Sequence, residues 1–269
     1  MAKFLTLNTH SWMEEDPEEK LEQLAEQILA EQYDGICLQE VNQRIDAKEA
    51  VLDGAYCPTN SEVTIREDNF ALRLVELLQI QDQEYYWTWA YSHIGYDIYQ
   101  EGSAILSKEP IIANDFFVSQ SRAETDYHTR KLVTGLTEIE GKMVRLVSCH
   151  YSWWQEGFAK EWRETEKALT GKELLVIMGD FNNPADSEGY HLVTESTLTL
   201  QDAFQTAQQR KGNHTIEKEI DGWQNNTEAL RIDFIFLSAS FEVLTYQTVF
   251  DGKQTPVVSD HYGVAVTTA

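Results

Sequence analysis

The sequence contains few cysteines, few prolines and no long hydrophobic run. Three cysteines, Cys37, Cys57 and Cys149, occur in 269 residues, and none has the CxxC spacing of a metal or redox motif. An odd number of scattered thiols does not form a disulfide framework and is typical of a reducing compartment. We expect Cys37 and Cys149, which lie within apolar runs, to be small core residues.

No stretch approaches the roughly 20 apolar residues that span a bilayer, and the N-terminal apolar run is too short for a signal peptide. These absences predict a cytoplasmic protein without a membrane partner. The five prolines are isolated, and no linker rich in Pro, Gly or Ser and no internal repeat divides the chain. We therefore predict one domain over residues 1–269.

Basic residues are also scarce. The chain has 21 Lys and Arg against 45 Asp and Glu, and its formal net charge is −24. A duplex-binding surface needs clustered Lys and Arg, so a nucleic-acid partner is disfavoured. A small phosphorylated metabolite carries about two negative charges, which a metal ion and a few donors can neutralise. Because acidity also promotes solubility, the charge does not identify the substrate.

The apolar pattern predicts an α/β fold. Asp16 is the predicted N-cap of a helix that has Pro17 at its first position and apolar residues on one face as far as residue 29. Further helices are predicted at 69–79 and 158–170, and strands at 3–7, 36–38, five positions between 85 and 150, 174–178, 231–237, 242–249 and 262–267. This order favours two packed sheets with helices outside.

Polar residues able to bind metal or phosphate recur next to the apolar strands: Asn8, Glu40, His150, Asp180, Asn182, Asp233, Asp260 and His261. Each is weak support alone, because a Glu after a strand is usually solvated, Gly-Asp-Phe-Asn can form a simple turn, and a single His is usually hydrogen-bonded in a core. Their joint occurrence is more informative, since layered α/β folds assemble sites at strand ends.

Four short motifs resemble the signature of the endonuclease/exonuclease/phosphatase superfamily, which includes DNase-I-like nucleases, inositol-phosphate 5-phosphatases and sphingomyelinases. They are Gln39-Glu40, Gly179-Asp180-Phe181-Asn182, Arg231-Ile232-Asp233-Phe234-Ile235 and Ser259-Asp260-His261. Asn8, residues 101–107 and Ser148-Cys149-His150 resemble further blocks of the family. The resemblance extends from residue 3 to residue 266. It implies a four-layer α/β/β/α sandwich and metal-dependent hydrolysis of phosphoesters.

The resemblance also implies a metal site. Glu40 would be the principal ligand of Mg²⁺ or Mn²⁺, and Asn8 and Asp260 would assist, directly or through water. Carboxylate and amide oxygens suit such a hard cation better than zinc, which prefers nitrogen and sulfur.

The implied catalytic residues are Asp180, Asn182, Asp233, His261 and His150. Asp180 would orient or deprotonate the attacking water, and Asn182 would hold that water or a phosphoryl oxygen. Asp233 would orient His261, while His261 and His150 would donate hydrogen bonds to phosphate. An adjacent carboxylate favours the protonated form of a histidine, so histidines held in this way remain donors near neutral pH.

The substrate is less well defined. Arg130 is a further candidate phosphate donor, and Trp153 and Trp154 either stack on a sugar ring or pack in the core. Length, acidity and the Trp-rich segment after His150 resemble the small bacterial branch that includes maltose 6'-phosphate phosphatase, which implies a phosphorylated sugar as substrate. A nuclease or other phosphodiesterase with the same site is the alternative. An inactive binding protein is the third hypothesis, and the complete set of ligands argues against it.

Overall fold

The computed structural model describes residues 1–269 and contains thirteen strands and five α-helices. The strands are β1 (Ala2–Asn8), β2 (Gly35–Arg44), β3 (Tyr86–Gly95), β4 (Tyr99–Ser107), β5 (Ile112–Phe117), β6 (Lys131–Ile139), β7 (Lys142–His150), β8 (Leu174–Asp180), β9 (Leu200–Asp202), β10 (Gln209–Lys211), β11 (Asp233–Ser238), β12 (Val243–Val249) and β13 (Gly263–Thr268). The α-helices are α1 (Pro17–Glu31), α2 (Phe70–Ile80), α3 (Phe158–Ala168), α4 (Glu188–Thr194) and α5 (Ala203–Thr206). Single 3₁₀ turns occur at Ser11–Met13 and Trp154–Glu156.

The strands form two mixed sheets. One has the strand order β10-β12-β13-β1-β2-β4-β3, and the other has the order β5-β6-β7-β8-β11-β9. The pairs β1–β2 and β7–β8 are parallel, whereas β13 runs antiparallel to β1 and β11 runs antiparallel to β8. In each sheet, the ends of the two parallel strands therefore lie beside the start of an antiparallel strand.

The predicted layers are confirmed. Buried side chains from both sheets form the central core, including Phe4 and Ile105 from one sheet and Leu146 and Val176 from the other. The helices α1 and α2 cover the first sheet through a second core, and α3 and α4 cover the other sheet through a third. Fully burying one Leu or Phe stabilises the fold by roughly 1.5–3 kcal/mol. Because the three cores contain many such side chains, they hold the two sheets, and with them the strand ends, in place.

The helix starts match the prediction in one case and differ in another. Asn69 caps α2, because its Oδ1 accepts hydrogen bonds from the backbone N–H groups of Ala71 and Leu72. Asp16 occupies the predicted N-cap position of α1, but its side chain makes no cap hydrogen bond, and its backbone is left-handed, with φ 53°. A capping side chain normally extends from a β-region residue, so Pro17 and the buried face of α1 define this helix instead.

Strand β2 is longer than the sequence predicts. It continues to Arg44, and its register against β4 shifts between Leu38 and Val41. Glu40 lies in this bulge with φ 51°, and a bulge redirects a side chain out of the regular alternation. The short elements β9, β10, α4 and α5 were not predicted, because three to seven residues are too few to show a period.

Two further predictions concern the thiols and the membrane. All three cysteines are free, and Cys37 and Cys149 are buried as expected. None of the helices combines the length and the apolar character that crossing a bilayer requires.

Candidate active site

A cleft of about 500 Å³ contains most of the predicted catalytic residues. Glu40, His150, Asp180, Asn182 and His261 all line it. They come from both sheets, and their positions in the chain extend from residue 40 to residue 261. The strand order, rather than sequence proximity, brings them together.

Asn8 joins the two sheets at this cleft. Its Nδ2 donates to Glu40 Oε1 at 2.8 Å and to Asp180 Oδ2 at 3.1 Å. Its Oδ1 accepts from the backbone N–H of His10 at 3.2 Å. Asn8 therefore holds the two carboxylates side by side, next to the metal site that the family resemblance implies it assists.

The register of the second sheet positions Asp180. It lies opposite His150 on β7 and opposite Asp233 on β11. Gly179 allows the close approach of β7, because its φ is +150° and a Cβ there would lie 1.9 Å from the Cys149 carbonyl oxygen. The chain then turns, and the backbone N–H of Asn182 donates to Asp180 Oδ1 at 2.8 Å.

Negative charge is concentrated around Glu40. Burial raises the pKa of Glu40 to about 8, and the charges of Glu101 and Asp260 act in the same direction. Asp260 is held by its backbone N–H, which donates to Glu14 Oε1 at 3.0 Å. His10 lies between these acids, with Nδ1 2.8 Å from Glu14 Oε1 and 3.9 Å from Asp260 Oδ2.

The oxygen atoms around Glu40 are suitable ligands for a hard divalent cation. Glu40 and Asp180 present carboxylate oxygens to one space, and Asp260 lies close enough to raise the pKa of Glu40. Oxygen ligands of this kind bind Mg²⁺, Mn²⁺ or Ca²⁺. A bound cation would stabilise the ionised carboxylate that burial and like charges disfavour. The sequence did not point to His10 and Glu14, which extend this acidic group.

Asp233 and His261 form a buried pair. His261 Nδ1 donates to Asp233 Oδ2 at 2.9 Å, and His261 Nε2 lies 3.8 Å from Asp180 Oδ2. Burial by itself lowers the pKa of His261, but the charges of Asp233 and Asp180 outweigh it and raise this pKa well above its ordinary value. The protonated form of His261 is therefore favoured, and its Nε2 faces the cleft.

His150 lacks the carboxylate partner that His261 has. Its Nε2 lies 3.6 Å from Asp180 Oδ2 and 3.9 Å from Glu40 Oε1, so no carboxylate holds it by a hydrogen bond. Burial, with the positive charges of Arg130, His93 and His261, lowers the pKa of His150 well below its ordinary value. His150 is thus neutral near pH 7 and donates through only one ring nitrogen.

Asp180 has the electrostatic environment of a base. Burial raises the pKa of Asp180 to about 7, and the negative charge of Asp233 contributes in the same direction, while His261 and two hydrogen bonds oppose it. A carboxylate whose pKa lies near the working pH accepts a proton more readily than an ordinary aspartate.

The three predicted substrate-binding residues lie in different surroundings. Arg130 and Trp153 both line the cleft, and the Arg130 guanidinium lies 6.0 Å from the centre of the Trp153 ring. Trp154 packs against Phe158, with ring centroids 6.4 Å apart, and does not line the cleft. A role for Trp154 in substrate binding therefore has no support in the structure, because the 3₁₀ turn at Trp154–Glu156 directs its ring onto α3.

The cleft also contains residues beyond the predicted catalytic set. His93, Tyr96 and Glu101 belong to the β3–β4 hairpin, and Asp221 belongs to the loop before β11. His93 Nε2 lies 3.3 Å from Glu101 Oε1, and the Tyr96 hydroxyl donates to Asp221 Oδ2 at 2.5 Å. Glu101 lies in a block that resembles the family, but nothing in the sequence connects the hairpin to the distant Asp221.

Comparison with known proteins identifies the family. The profile of the Endonuclease/Exonuclease/phosphatase family matches residues 11–261. The chain belongs to this family. Its members hydrolyse phosphoester bonds and generally depend on a divalent metal, so the chain is a phosphoester hydrolase of this family. No curated protein matches the sequence.

Solved structures agree with this assignment. A family protein from Leptotrichia buccalis C-1013-b is 31% identical over 100% of both chains, with a TM-score of 0.88. The mannosyl-6-phosphatase Bt3783 from Bacteroides thetaiotaomicron is 16% identical over 100% of both chains, with a TM-score of 0.66. The human Nocturnin catalytic domain, solved with bound sulfate, is also 16% identical, over 100% of this chain and 93% of that one, with a TM-score of 0.67. The last two similarities are similarities of fold.

Proposed function

We propose that the protein is a Mg²⁺- or Mn²⁺-dependent phosphomonoesterase that acts on a small phosphorylated sugar. The main support for this proposal is that the cleft has two chemically different parts. The inner part is formed by the buried or half-buried His150, His261 and Asn182, and the outer part by exposed residues with carboxylate, hydroxyl and amide groups, namely Tyr96, Glu156, Asp221 and Gln224. The fold shared with a mannosyl-6-phosphatase supports the same substrate class.

The metal site of the proposal is centred on Glu40. Asp260 would assist, directly or through water, and Asn8 would keep Glu40 and Asp180 in place by its two hydrogen bonds. A cation bound there would supply a Lewis acid for a phosphoryl oxygen and would offset the local negative charge.

The protein residues then position water and phosphate. Asp180 accepts a proton from the attacking water, which its raised pKa favours. His261 donates from Nε2 to a phosphate oxygen, while Asp233 holds the other ring nitrogen. His150, Arg130 and Asn182 provide further donors along the wall of the cleft. Phosphoryl transfer mainly requires such positioning and neutralisation of the equatorial oxygens.

The outer part of the cleft favours a neutral, hydroxylated group. Glu156 and Asp221 are hydrogen-bond acceptors for hydroxyl groups, Gln224 both donates and accepts, and Trp153 offers an aromatic face. Arg130 is the only Lys or Arg among the lining residues. A polynucleotide would bring further phosphates against these carboxylates, so the nuclease alternative is disfavoured electrostatically.

A substrate panel tests the proposal. Purified protein is assayed for phosphate release from maltose 6'-phosphate, mannose 6-phosphate and nucleoside monophosphates, and for cleavage of a phosphodiester and of plasmid DNA. Each assay is run with Mg²⁺ and with EDTA. We expect a sugar phosphate to give the highest kcat/KM and EDTA to remove the activity. Faster cleavage of DNA, suppressed by salt, or full activity in EDTA would contradict the proposal.

A further inference from the structure

The segment of residues 217–229, which we call the cleft loop, contacts the walls of the active site through three consecutive residues. It lies between Ile216 and Leu230, which pair with each other in an isolated β-bridge. Asp221 accepts the hydrogen bond from Tyr96, and Trp223 Nε1 donates to Asn182 Oδ1 at 2.8 Å. The cleft loop thus contacts both the β3–β4 hairpin and Asn182, the residue predicted to hold water or a phosphoryl oxygen.

Gly222 lies between these two contacts and lets the loop approach the cleft wall. It has φ +77°, and a Cβ at this position would lie 2.6 Å from Trp153 Cζ2. A glycine adopts this left-handed conformation without steric cost and leaves room for the indole ring. The cleft loop therefore packs directly on Trp153.

Trp223 and the Tyr151 carbonyl together determine which way the Asn182 amide faces. An indole N–H can only donate, so its partner on Asn182 must be the carbonyl oxygen Oδ1. The amide nitrogen Nδ2 then donates one hydrogen to the Tyr151 carbonyl oxygen at 3.0 Å. Its second hydrogen remains for a ligand in the cleft that Asn182 lines. Without the indole N–H, Oδ1 loses its donor and the Tyr151 carbonyl alone holds the amide, so the free N–H of Asn182 is no longer fixed toward the cleft.

We propose that Trp223 is a positioning residue, which holds Asn182 so that its free amide N–H faces the phosphate. The inference rests on the proposed phosphomonoesterase function and extends it to a residue outside the family motifs. Asp221, on the same loop, forms part of the outer wall of the cleft. The cleft loop therefore contacts both the proposed sugar-binding part of the cleft and Asn182.

A double-mutant cycle tests this role. We compare the wild type with Trp223→Phe, Asn182→Ala and the double variant, using the best sugar phosphate with Mg²⁺. Trp223→Phe should lower kcat/KM about 10- to 100-fold, the size expected for a misplaced group, with a loss in kcat and a smaller rise in KM, because the Asn182 amide contacts phosphate in the bound ground state as well as in the transition state. In the Asn182→Ala background the same substitution should have no further effect on kcat/KM.

Trp12→Phe is the matched control. Trp12 also donates its indole N–H to an oxygen, the Asp68 carbonyl at 2.8 Å, but it does not line the cleft. This variant should keep kcat within about twofold of the wild type. Thermal unfolding of all variants shows whether a loss of kcat reflects loss of the fold.

The wild type, Trp223→Phe, Asn182→Ala and the double variant are also titrated with orthophosphate in the presence of Mg²⁺. Calorimetry measures this binding without turnover. Non-additive effects on phosphate affinity support the inference. Equal effects of Trp223→Phe in both backgrounds, no effect at all, or no phosphate binding by the wild type would overturn it. If no monoester is hydrolysed, the proposed function fails, and the calorimetric cycle still decides whether Trp223 acts through Asn182.

Discussion

The Nδ1 atom of His261 lies 2.9 Å from Oδ2 of Asp233, although the two residues are 28 positions apart in the chain. Asp233 is the first residue of β11, and His261 lies two residues before β13, so each sheet contributes one partner. Both side chains are buried, and the hydrogen bond leaves His261 Nε2 facing the cleft. A carboxylate that fixes one ring nitrogen determines what the other presents to substrate.

We expect Asp233→Asn to lower kcat about 100- to 1000-fold, because His261 loses the charge that keeps it protonated and oriented. KM should change little, and far-UV circular dichroism should match the wild type. Steady-state kinetics on the best monoester measure both constants. His261→Ala should cause a similar loss, and the double variant should be no worse than either single variant. Unchanged kcat in Asp233→Asn would remove the pair from the mechanism.

Glu40→Gln should weaken metal binding. The substitution keeps the size of the side chain but removes the charge that stabilises a cation beside Asp180. We expect at least about a tenfold rise in the Mg²⁺ concentration for half-maximal activity, equivalent to about 1.4 kcal/mol. Glu173→Gln is the control, because Glu173 pairs with Arg145 and does not line the cleft. Equal Mg²⁺ requirements in the wild type and Glu40→Gln would place the metal elsewhere.

Gly179→Ala should be far more destabilising than Gly141→Ala. Both glycines have positive φ, +150° and +72°, but only the Cβ at residue 179 collides with backbone, at the Cys149 carbonyl oxygen. Left-handed strain alone costs about 1–2 kcal/mol, so we expect about 1 kcal/mol for Gly141→Ala and about 3 kcal/mol or more for Gly179→Ala. Urea unfolding measures both values. Similar costs at the two positions would show that β7 and β8 are not packed as described.

Glu161 makes the stability of the protein depend on pH. Burial raises the pKa of Glu161, although hydrogen bonds from Ser152 and the charge of Arg130 oppose the shift. The folded state thus keeps this proton after the unfolded state has released it at about pH 4.3. The contribution of Glu161 is fully present below that pH and is lost as the pH rises through the folded pKa.

We therefore expect the free energy of unfolding of Glu161→Gln, relative to the wild type, to increase from pH 4 to pH 7. Urea unfolding in EDTA at several pH values measures this difference without a contribution from metal binding. A difference that stays constant, or that decreases with pH, would contradict the assignment of the shift to Glu161.

The sequence predicts the two-sheet fold and most residues at the strand ends because both depend on local patterns. Apolar runs mark the strands, and the polar residue after each run, such as His150 or Asp180, lies next to its own strand in the chain. Glu40 shows the limit of this reasoning: the sequence placed it at a strand end, but β2 continues past it through a bulge. Bulges depend on pairing with a partner strand, here β4.

The contact between Tyr96 and Asp221 in the outer part of the cleft could not be predicted, because it joins two distant loops. Tyr96 and Asp221 are 125 positions apart and meet only when the hairpin and the cleft loop fold over the same strand ends. The charge state of His150 is also a property of the folded surroundings, since burial and the charge of Arg130 lower its pKa. Neither surroundings nor distant contacts leave a periodic signal in the sequence.

A crystal structure with Mn²⁺ and orthophosphate would test the central claim most directly. Anomalous scattering locates the metal without reference to activity. The account predicts one strong anomalous peak bonded to the Glu40 carboxylate, with phosphate beside it in contact with His150, His261 and Asn182. Manganese bound outside the cleft, or phosphate held away from the two histidines, would contradict it.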